Sequence, residues 1–364
     1  MMRKVRIGVI GTGGIFESHS RGFLINNDLV DVVAVSARSY NDESRKRVSR
    51  LLEKSENDIQ YFTDYNEMLD KAGIDAVDIL LPHNLHAPAT IASAKKGIHV
   101  LVEKPMARNI KECDEMIKAC KYAGVTLTIC HDRRYNKAWK AIKDILDKGL
   151  IGEHLYYRLE HNQNVTLPEG HWIRNKEFLG GGAVMSCLTH QIDALRWYGG
   201  EVESVTCMTK TIPSRMEGEL IGVIAAKMKS GALAQLSINW HTTSDVSVNV
   251  VGICDKAIWF EFIQICGTAG ELYYMPNDGV YIKRYKSPDG QYEFDDEGKV
   301  LGFELYYSGK DVFGHNNMIT QWVRMLANLD SNILTPGVDS RKTVEVAEAA
   351  YKAEREGRVV YLPL

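Results

Sequence analysis

No stretch of the chain approaches the ~20 consecutive apolar residues of a membrane span, so no transmembrane helix is expected. Charge of neither sign dominates. Lysine and arginine number 44 against 47 aspartate and glutamate, a net charge of -3. That balance gives no reason to expect nucleic acid or an anionic membrane surface as partner. The seven cysteines are Cys113, Cys120, Cys130, Cys187, Cys207, Cys254 and Cys266. They form no C-x-x-C pair and show no His/Cys spacing of a zinc site, so no metal is expected. An odd, scattered set reads as reduced thiols. The opening residues MMRKVRIGVIGTGG are basic, but their apolar run is short and broken by Gly11 and Gly13. A secretory signal needs a longer run and a small-residue cleavage site, so the expected compartment is the cytoplasm. Internal repeats and low-complexity linkers are also missing.

What is present is ordinary globular material, 45% hydrophobic and 25% charged over 364 residues, long enough for two domains. Its rhythm changes part-way. VRIGVIG (5–11), DVVAVSA (31–37), AVDILLP (76–82), HVLVEKP (99–105) and TLTIC (126–130) are short apolar runs separated by amphipathic stretches. Buried runs alternating with amphipathic helices indicate β-α units and a parallel, doubly wound sheet. From about residue 155, HLYYRLEH, SVTCMTK, IGVIAAKM, ALAQLSINW and VSVNVV follow one another with few helices. Sequential strands favour an antiparallel sheet. LGGGAVMSCLTHQIDALRWYGG reads as one helix ahead of most of them, with further helices near HNNMITQWVRMLANLD and RKTVEVAEAAYKAEREG. The fold class is therefore α/β: a Rossmann domain over 1–128, then an α+β domain over 129–364 with a large, mainly antiparallel open sheet.

GTGGIF (11–16) places Gly11, Gly13 and Phe16 on the pattern G-x-G-x-x-G, after a strand and before a helix. In that context the glycines, with Gly14 and Ile15, suit the pyrophosphate of a dinucleotide at a helix N-terminus. Phe16 departs from the small residue of the pattern, and Gly14 is a candidate to relieve the crowding. NAD sites usually place a carboxylate after the second strand, on the ribose diol. Here Ala37 takes that place, Arg38 follows, and Ser36 and Ser39 flank them. An arginine fork with hydroxyls suits a 2′-phosphate, so NADP is the preferred cofactor and NAD the alternative. In HVLVEKPMA, Lys104 closes a parallel strand, at the edge where such sheets bind ligands. There it can donate a proton or clamp an oxygen that gains charge.

These segments carry a resemblance. IGVIGTGGI, DAVDILLPHNLHAPATIASAKKGIHVLVEKPMA, GGGAVMSCLTHQID, ICGTAGEL and AAYKAEREGRVVYLP are together similar to the glucose-fructose oxidoreductase / inositol dehydrogenase / rhizopine-catabolism (Gfo/Idh/MocA) family over nearly the whole chain. The resemblance implies hydride exchange between NAD(P) and a carbinol carbon, usually of a sugar or cyclitol, in a homodimer or homotetramer. Lys104 falls on the family's catalytic lysine and His190 on its catalytic histidine. Glu103 and Pro105 fall on cofactor-side neighbours of the lysine, and with Lys104 itself and Pro82, Asn84 and His86 of the same block they are the implied cofactor-binding residues. Alcohol-oxidising relatives often carry an aspartate where this chain has Ser186, and Asp193 matches a further acidic position.

Ser186, His190 and Asp193 lie four and three apart, so on a regular helix they share a face. His190 can act as base near neutral pH, and Ser186 can only hydrogen-bond. Arg134 and Tyr135, with His131 and Arg133 beside them in CHDRRYN, and His161, His171, Trp172 and Arg174 are candidates for a sugar pocket. His315 reads as a capping or surface residue, Trp240 and His241 as part of the sheet, and Val344, Ala347 and Tyr351 as a packing stripe. Two other readings stand beside the dehydrogenase. One is an NAD-retaining glycosidase of related fold. The other is a dinucleotide-binding regulator that catalyses nothing.

Overall fold

The structure is a computed structural model that describes residues 3–242, 259–276, 279–285, 303–309 and 314–364. The strand expected at VSVNVV lies outside the described residues. The chain divides into two compact units, 1–135 with 313–344, and 136–312 with 345–364.

The first unit is built on six parallel strands, β1 (Val5–Ile10), β2 (Val30–Ser36), β3 (Gln60–Phe62), β4 (Ala76–Ile79), β5 (His99–Glu103) and β6 (Leu127–Cys130). Their order in the sheet is β3-β2-β1-β4-β5-β6. The five longer apolar runs correspond to β1, β2, β4, β5 and β6. The short β3 was not expected, because its three residues are only partly covered and show no apolar run. Between the strands run α1 (Phe16–Ile25), α2 (Asp42–Leu52), α3 (Tyr65–Lys71), α4 (His86–Lys95) and α5 (Ile110–Ala123). Asn41, Asp64 and Asn109 cap α2, α3 and α5 by accepting backbone N–H bonds, which satisfies donors that a helix start otherwise leaves open.

A single boundary at 128/129 does not describe this unit. The chain returns to it in α9 (His315–Leu326), after α6 (Lys137–Asp147), α7 (Lys176–Leu179) and α8 (Thr189–Gly199) of the second unit. The reason is apolar burial. Met318, Ile319, Trp322 and Val323 of α9 join the core cluster of Ile7, Val9, Phe16, Phe23 and Val35. Gly22 lets α1 and α9 approach closely, since a Cβ there would sit 2.8 Å from Ile319.

The second unit is a nine-stranded sheet containing β7 (His154–Gln163), β8 (Val202–Thr211), β9 (Glu219–Met228) and β10 (Leu233–Asn239). Its remaining strands are β11 (Trp259–Gly267), β12 (Gly270–Met275), β13 (Gly279–Arg284), β14 (Phe303–Tyr307) and β15 (Val360–Tyr361). The order is β14-β13-β12-β11-β7-β10-β9-β8-β15. Among the described residues only β10 and β7 pair in parallel; the other neighbours are antiparallel. Along β9, Gly222, Ile224, Ala226 and Met228 are buried while Val223, Ala225 and Lys227 face outward, the alternation of a sheet with one covered face. Helix α10 (Gly337–Glu356) closes the chain before β15. No helix among the described residues is long and apolar enough to cross a membrane.

Candidate active site

In the first unit the strand order reverses between β1 and β4, and the crevice at the carboxyl ends of such strands is where these sheets take ligands. Gly11 leaves β1 there. Its N–H donates to the Ser36 carbonyl at 2.8 Å, and its φ of +103° belongs to glycine. A Cβ on Gly11 would lie 2.4 Å from the Leu80 carbonyl oxygen, whereas at Gly13 and Gly14 nothing comes within 4 Å. The turn is therefore closed toward the sheet and open on its other side. Ile15 is exposed at the N-cap of α1, which has no side-chain cap. Phe16 is fully buried in the core cluster. Gly14 relieves no crowding, because its surroundings are empty; Phe16 fits by turning inward.

The end of β2 is less uniform than its sequence suggests. Ser36 is buried and contributes its carbonyl to the Gly11 turn, so its hydroxyl is not displayed at the rim. Arg38 and Ser39 are exposed. Arg47 of α2, a residue that motif reading missed, reaches back to the turn and donates to the carbonyls of Thr12 (2.8 Å) and Gly13 (3.3 Å). Its signal was the run of basic residues Arg45, Lys46 and Arg47.

At the ends of β4 and β5 lie the Pro82, Asn84 and His86 block and the Glu103-Lys104-Pro105 turn. His86 is fully buried, with Nδ1 2.9 Å from the Pro105 carbonyl and Nε2 2.8 Å from the Leu81 carbonyl. It ties the two loops together and has no surface to offer a cofactor. The Asn84 side-chain oxygen is buried without a hydrogen-bond partner among the described residues. Lys104 is partly exposed, and its N–H donates to its neighbour Glu103 at 3.2 Å. The Lys104–Pro105 peptide is cis.

Behind Lys104 lies a charged group that no motif announced. His19 on α1 is fully buried between Asp78 (Nδ1 to Oδ2, 2.8 Å) and Glu103 (Nε2 to Oε1, 3.0 Å). Burial alone would lower the histidine's pKa; the charges and hydrogen bonds of Asp78 and Glu103 overcome it and push it up to about 10. Burial likewise opposes ionisation of Glu103, but hydrogen bonds and charge from His19 and His315 hold its carboxyl well below the usual range. Cys130 Sγ lies 3.8 Å from His19 Nε2, and burial pushes its thiol up. His315 is no surface cap. It is buried at the start of α9, 3.7 Å from Glu103 and 3.5 Å from Asp132. The residues come from positions 19, 78, 103, 130, 132 and 315, which is why spacing could not reveal them.

His131 and Arg133 are buried in the segment after β6. Arg134 donates to the Leu334 carbonyl (2.9 Å) and pairs with Asp339 (2.7 Å). Tyr135 belongs to the core cluster, with its hydroxyl 3.4 Å from Thr335. A sugar-pocket role for Arg134 and Tyr135 is not what this packing favours. Both are committed to holding residues 334–339 against the segment that follows β6.

In the second unit the glycine-rich stretch is not one regular helix. Val184–Leu188 form a π-helical turn that leads into α8. Ser186 sits in that turn, so its angular phase to His190 and Asp193 departs from the four-and-three helical stripe. All three are buried, as is nearly every side chain of α8. Short π segments often mark functional sites. Two of the three glycines are explained by protein contacts, and Gly180 ends α7 in the left-handed conformation. A Cβ on Gly181 would meet the Tyr351 hydroxyl at 2.2 Å, and one on Gly182 the Glu219 backbone at 2.3 Å. Tyr351 is more than a packing residue: its hydroxyl accepts from the N–H groups of Gly182 and Met185 (3.1 Å each) and donates to Glu219 at 2.6 Å. Val344 and Ala347 are buried apolar residues as expected. Trp240 is buried next to β10, and His241 bridges to Asn164.

His161 on β7 lies 3.3 Å from both Glu261 and Gln163, and Gln191 of α8 donates to Glu261 at 3.1 Å. The buried Glu261, absent from the sequence reading, thus links the β7 histidine to the residue beside His190. Trp172 stacks on His171, with ring centroids 6.1 Å apart. Arg174 donates to the Ser214 carbonyl at 3.2 Å. Both stand partly exposed on a separate turn, Trp172–Arg174.

Residues 5–131 match the oxidoreductase family with an NAD-binding Rossmann fold, and residues 139–272 match the GFO/IDH/MocA C-terminal domain. The chain belongs to the GFO/IDH/MocA family. Among its relatives is a myo-inositol 2-dehydrogenase of Thermotoga maritima, 30% identical over 234 residues, 63% of this chain and 66% of that protein. A levoglucosan dehydrogenase of Pseudarthrobacter phenanthrenivorans is 27% identical over 219 residues, 59% of this chain and 56% of that protein. The chain thus matches a little over half to about two thirds of these relatives' length. Among solved structures, levoglucosan dehydrogenase in complex with NADH and levoglucosan superposes with a TM-score of 0.83 at 19% identity over all of both chains. The WlbA dehydrogenase from Bordetella pertussis with NADH and UDP-GlcNAcA gives 0.78 at 23% identity, also over all of both chains. At these identities the superpositions establish the fold.

Proposed function

We propose that the protein is an NAD(P)-dependent oxidoreductase that exchanges a hydride with a CH–OH or carbonyl carbon of a sugar, sugar derivative or cyclitol. One observation carries the reading. The Gly11 turn and Lys104 lie at the carboxyl ends of strands in one sheet of a family of oxidoreductases. The residues present fit a dinucleotide, since Gly13 and Gly14 leave open space against an uncapped helix start. When bound, the nicotinamide supplies or accepts the hydride.

The remaining chemistry belongs to the side chains. In oxidation the Lys104 ammonium stabilises the alkoxide that forms as the hydroxyl proton leaves, and in reduction it donates toward the carbonyl oxygen. His190 serves as the second acid/base group. Ser186 and Asp193 orient substrate hydroxyls, Ser186 without adding charge. His161, Trp172 and Arg174 are the further substrate-binding candidates in the second unit. His86 acts as a positioning residue through the carbonyls that it joins. The test is nicotinamide absorbance over time with NADP⁺ or NAD⁺ and a panel of aldoses, sugar acids and inositols, then keto-sugars with NADPH. Cofactor turnover on any of these supports the reading. Tight dinucleotide binding with silence across both panels overturns it.

The exposed Arg38, with Ala37 where a carboxylate would bind the ribose diol, favours NADP. Arg38→Ala is expected to weaken NADPH binding by about 1.5–3 kcal/mol, the worth of a charge-assisted contact, and to leave NADH binding unchanged. Equal losses for both cofactors in a fluorescence titration would remove the assignment.

The second-unit sheet also supports self-association. Met208, Val223 and Leu233 on β8, β9 and β10 are 78%, 44% and 57% exposed, and Met208 and Val223 are cross-strand partners. A homodimer or homotetramer is the expected mass in light scattering at micromolar concentration, and Met208→Glu is expected to shift it toward monomer.

A further inference from the structure

The cluster behind Lys104 is chemically richer than an ion pair. His19, Glu103, Cys130 and His315 each offer one ligand atom, all four buried and within 4.8 Å of one another. The distances that define it are 3.0 Å (His19 to Glu103), 3.7 Å (His315 to Glu103) and 3.8 Å (Cys130 to His19). Ligands of a tetrahedral zinc ion, held at about 2.0–2.3 Å, lie roughly 3.3–3.7 Å apart. The four atoms therefore stand close to where such an ion would hold them.

The outer contacts follow the same logic. His19 turns Nε2 toward Glu103 and Cys130 while its Nδ1 meets Asp78 at 2.8 Å. His315 turns Nε2 toward Glu103 while its Nδ1 faces Asp132 at 3.5 Å. A carboxylate on the far nitrogen of a histidine is the arrangement that orients metal-bound imidazoles and raises their basicity. Asp132 is itself paired with Arg133 at 2.8 Å and accepts from Gly314 N–H at 3.2 Å, so its orientation is fixed.

We propose that His19, Glu103, Cys130 and His315 form a structural site for a divalent metal of borderline softness, with zinc the best match to two imidazoles, a thiolate and a carboxylate. Two charges from Glu103 and the Cys130 thiolate neutralise the ion. Binding sends the Nε2 proton of His19 and the thiol proton of Cys130 to solvent, and the Nε2 proton of His315 leaves with them or moves to Nδ1, on the Asp132 side. The ion would tie α1, β5, β6 and the start of α9 together, directly beneath the Glu103–Lys104 turn. The inference does not rest on the reaction proposed above.

The test uses the full chain, stripped with a chelator and desalted after addition of Zn²⁺ or Co²⁺. About one metal per chain should be retained, zinc should raise the Tm, and the cobalt form should show thiolate-to-cobalt absorption. Cys130→Ser should abolish that absorption and His315→Gln should release the metal. Asp78→Asn should weaken zinc binding about 10–100-fold. Retention well below one per chain, no thiolate band in the wild type, or wild-type metal retention by both Cys130→Ser and His315→Gln overturns the site. If a variant does not fold, wild-type stoichiometry and the cobalt spectrum decide by themselves.

Discussion

Lys104→Ala lowers kcat by about 10²–10⁴-fold, the range spanned by loss of one positioned proton donor or charge clamp. Dinucleotide affinity stays within a few-fold of wild type, because the Gly11 turn is set by backbone and by Leu80, not by the lysine. The pair of readouts matters: steady-state rate with the best substrate of the panel, and cofactor binding by fluorescence titration. Lys104→Arg restores little, since a guanidinium keeps its charge but cannot give up its proton in this range. A Lys104→Ala enzyme with unchanged kcat would remove the lysine from the chemistry. A parallel loss of cofactor binding would instead make it part of the dinucleotide site. Because Glu103 accepts the Lys104 N–H and is itself held by His19, the backbone of the turn remains anchored in the alanine variant.

The second large effect concerns stability and comes from the second unit. Tyr351→Phe leaves the N–H groups of Gly182 and Met185 and the Glu219 carboxyl without their shared hydroxyl. Each buried group so abandoned costs about 1–3 kcal/mol, so a total of about 3–5 kcal/mol is expected in urea denaturation. Burial already raises the Glu219 carboxyl above its ordinary range. For a carboxylic acid that shift means that ionisation opposes folding. The destabilisation therefore shrinks as the pH is lowered from neutral toward its folded pKa, where the group is protonated. Gly182→Ala acts on the same joint: its Cβ would stand 2.3 Å from the Glu219 oxygen and 2.5 Å from its nitrogen. Backbone cannot yield as a side chain can, and a loss of about 3 kcal/mol or more is expected. Gly13→Ala is the contrast, with nothing within 4 Å. Its stability should stay within about 0.5 kcal/mol, and its effect should appear in cofactor binding. If Tyr351→Phe and Gly182→Ala proved as stable as wild type, the π turn would not depend on this joint.

Local pattern made the parallel sheet legible. The five apolar runs before residue 131 had the length and punctuation of buried strands. The glycines at the first turn had the strand and helix on either side that give such a motif meaning. The Lys104 stretch was legible for the same reason, as a charged residue at the end of an apolar run. β3 was not, because three partly covered residues carry no periodic signal. The role of residues 313–344 was not legible either. Their helix shows an apolar stripe, but a stripe does not name the sheet against which it packs.

The site shows the same division. Sequence proposed Gly11 from its place between strand and helix, and Lys104 and His190 through the family resemblance. It misread Arg134, Tyr135 and His315 as displayed or peripheral, and His86 as a cofactor contact. A polar side chain looks alike in sequence whether it meets solvent, ligand or a buried carbonyl. The cluster of His19, Asp78, Glu103, Cys130 and His315 and the clasp of Tyr351 on the glycines became visible only in the folded chain. The sequence by itself determined which segments must be buried and where backbone must bend, because those demands are met by residues close along the chain. Tertiary structure alone decided which polar groups face one another, because desolvated charges choose partners by distance in space and not by separation in sequence.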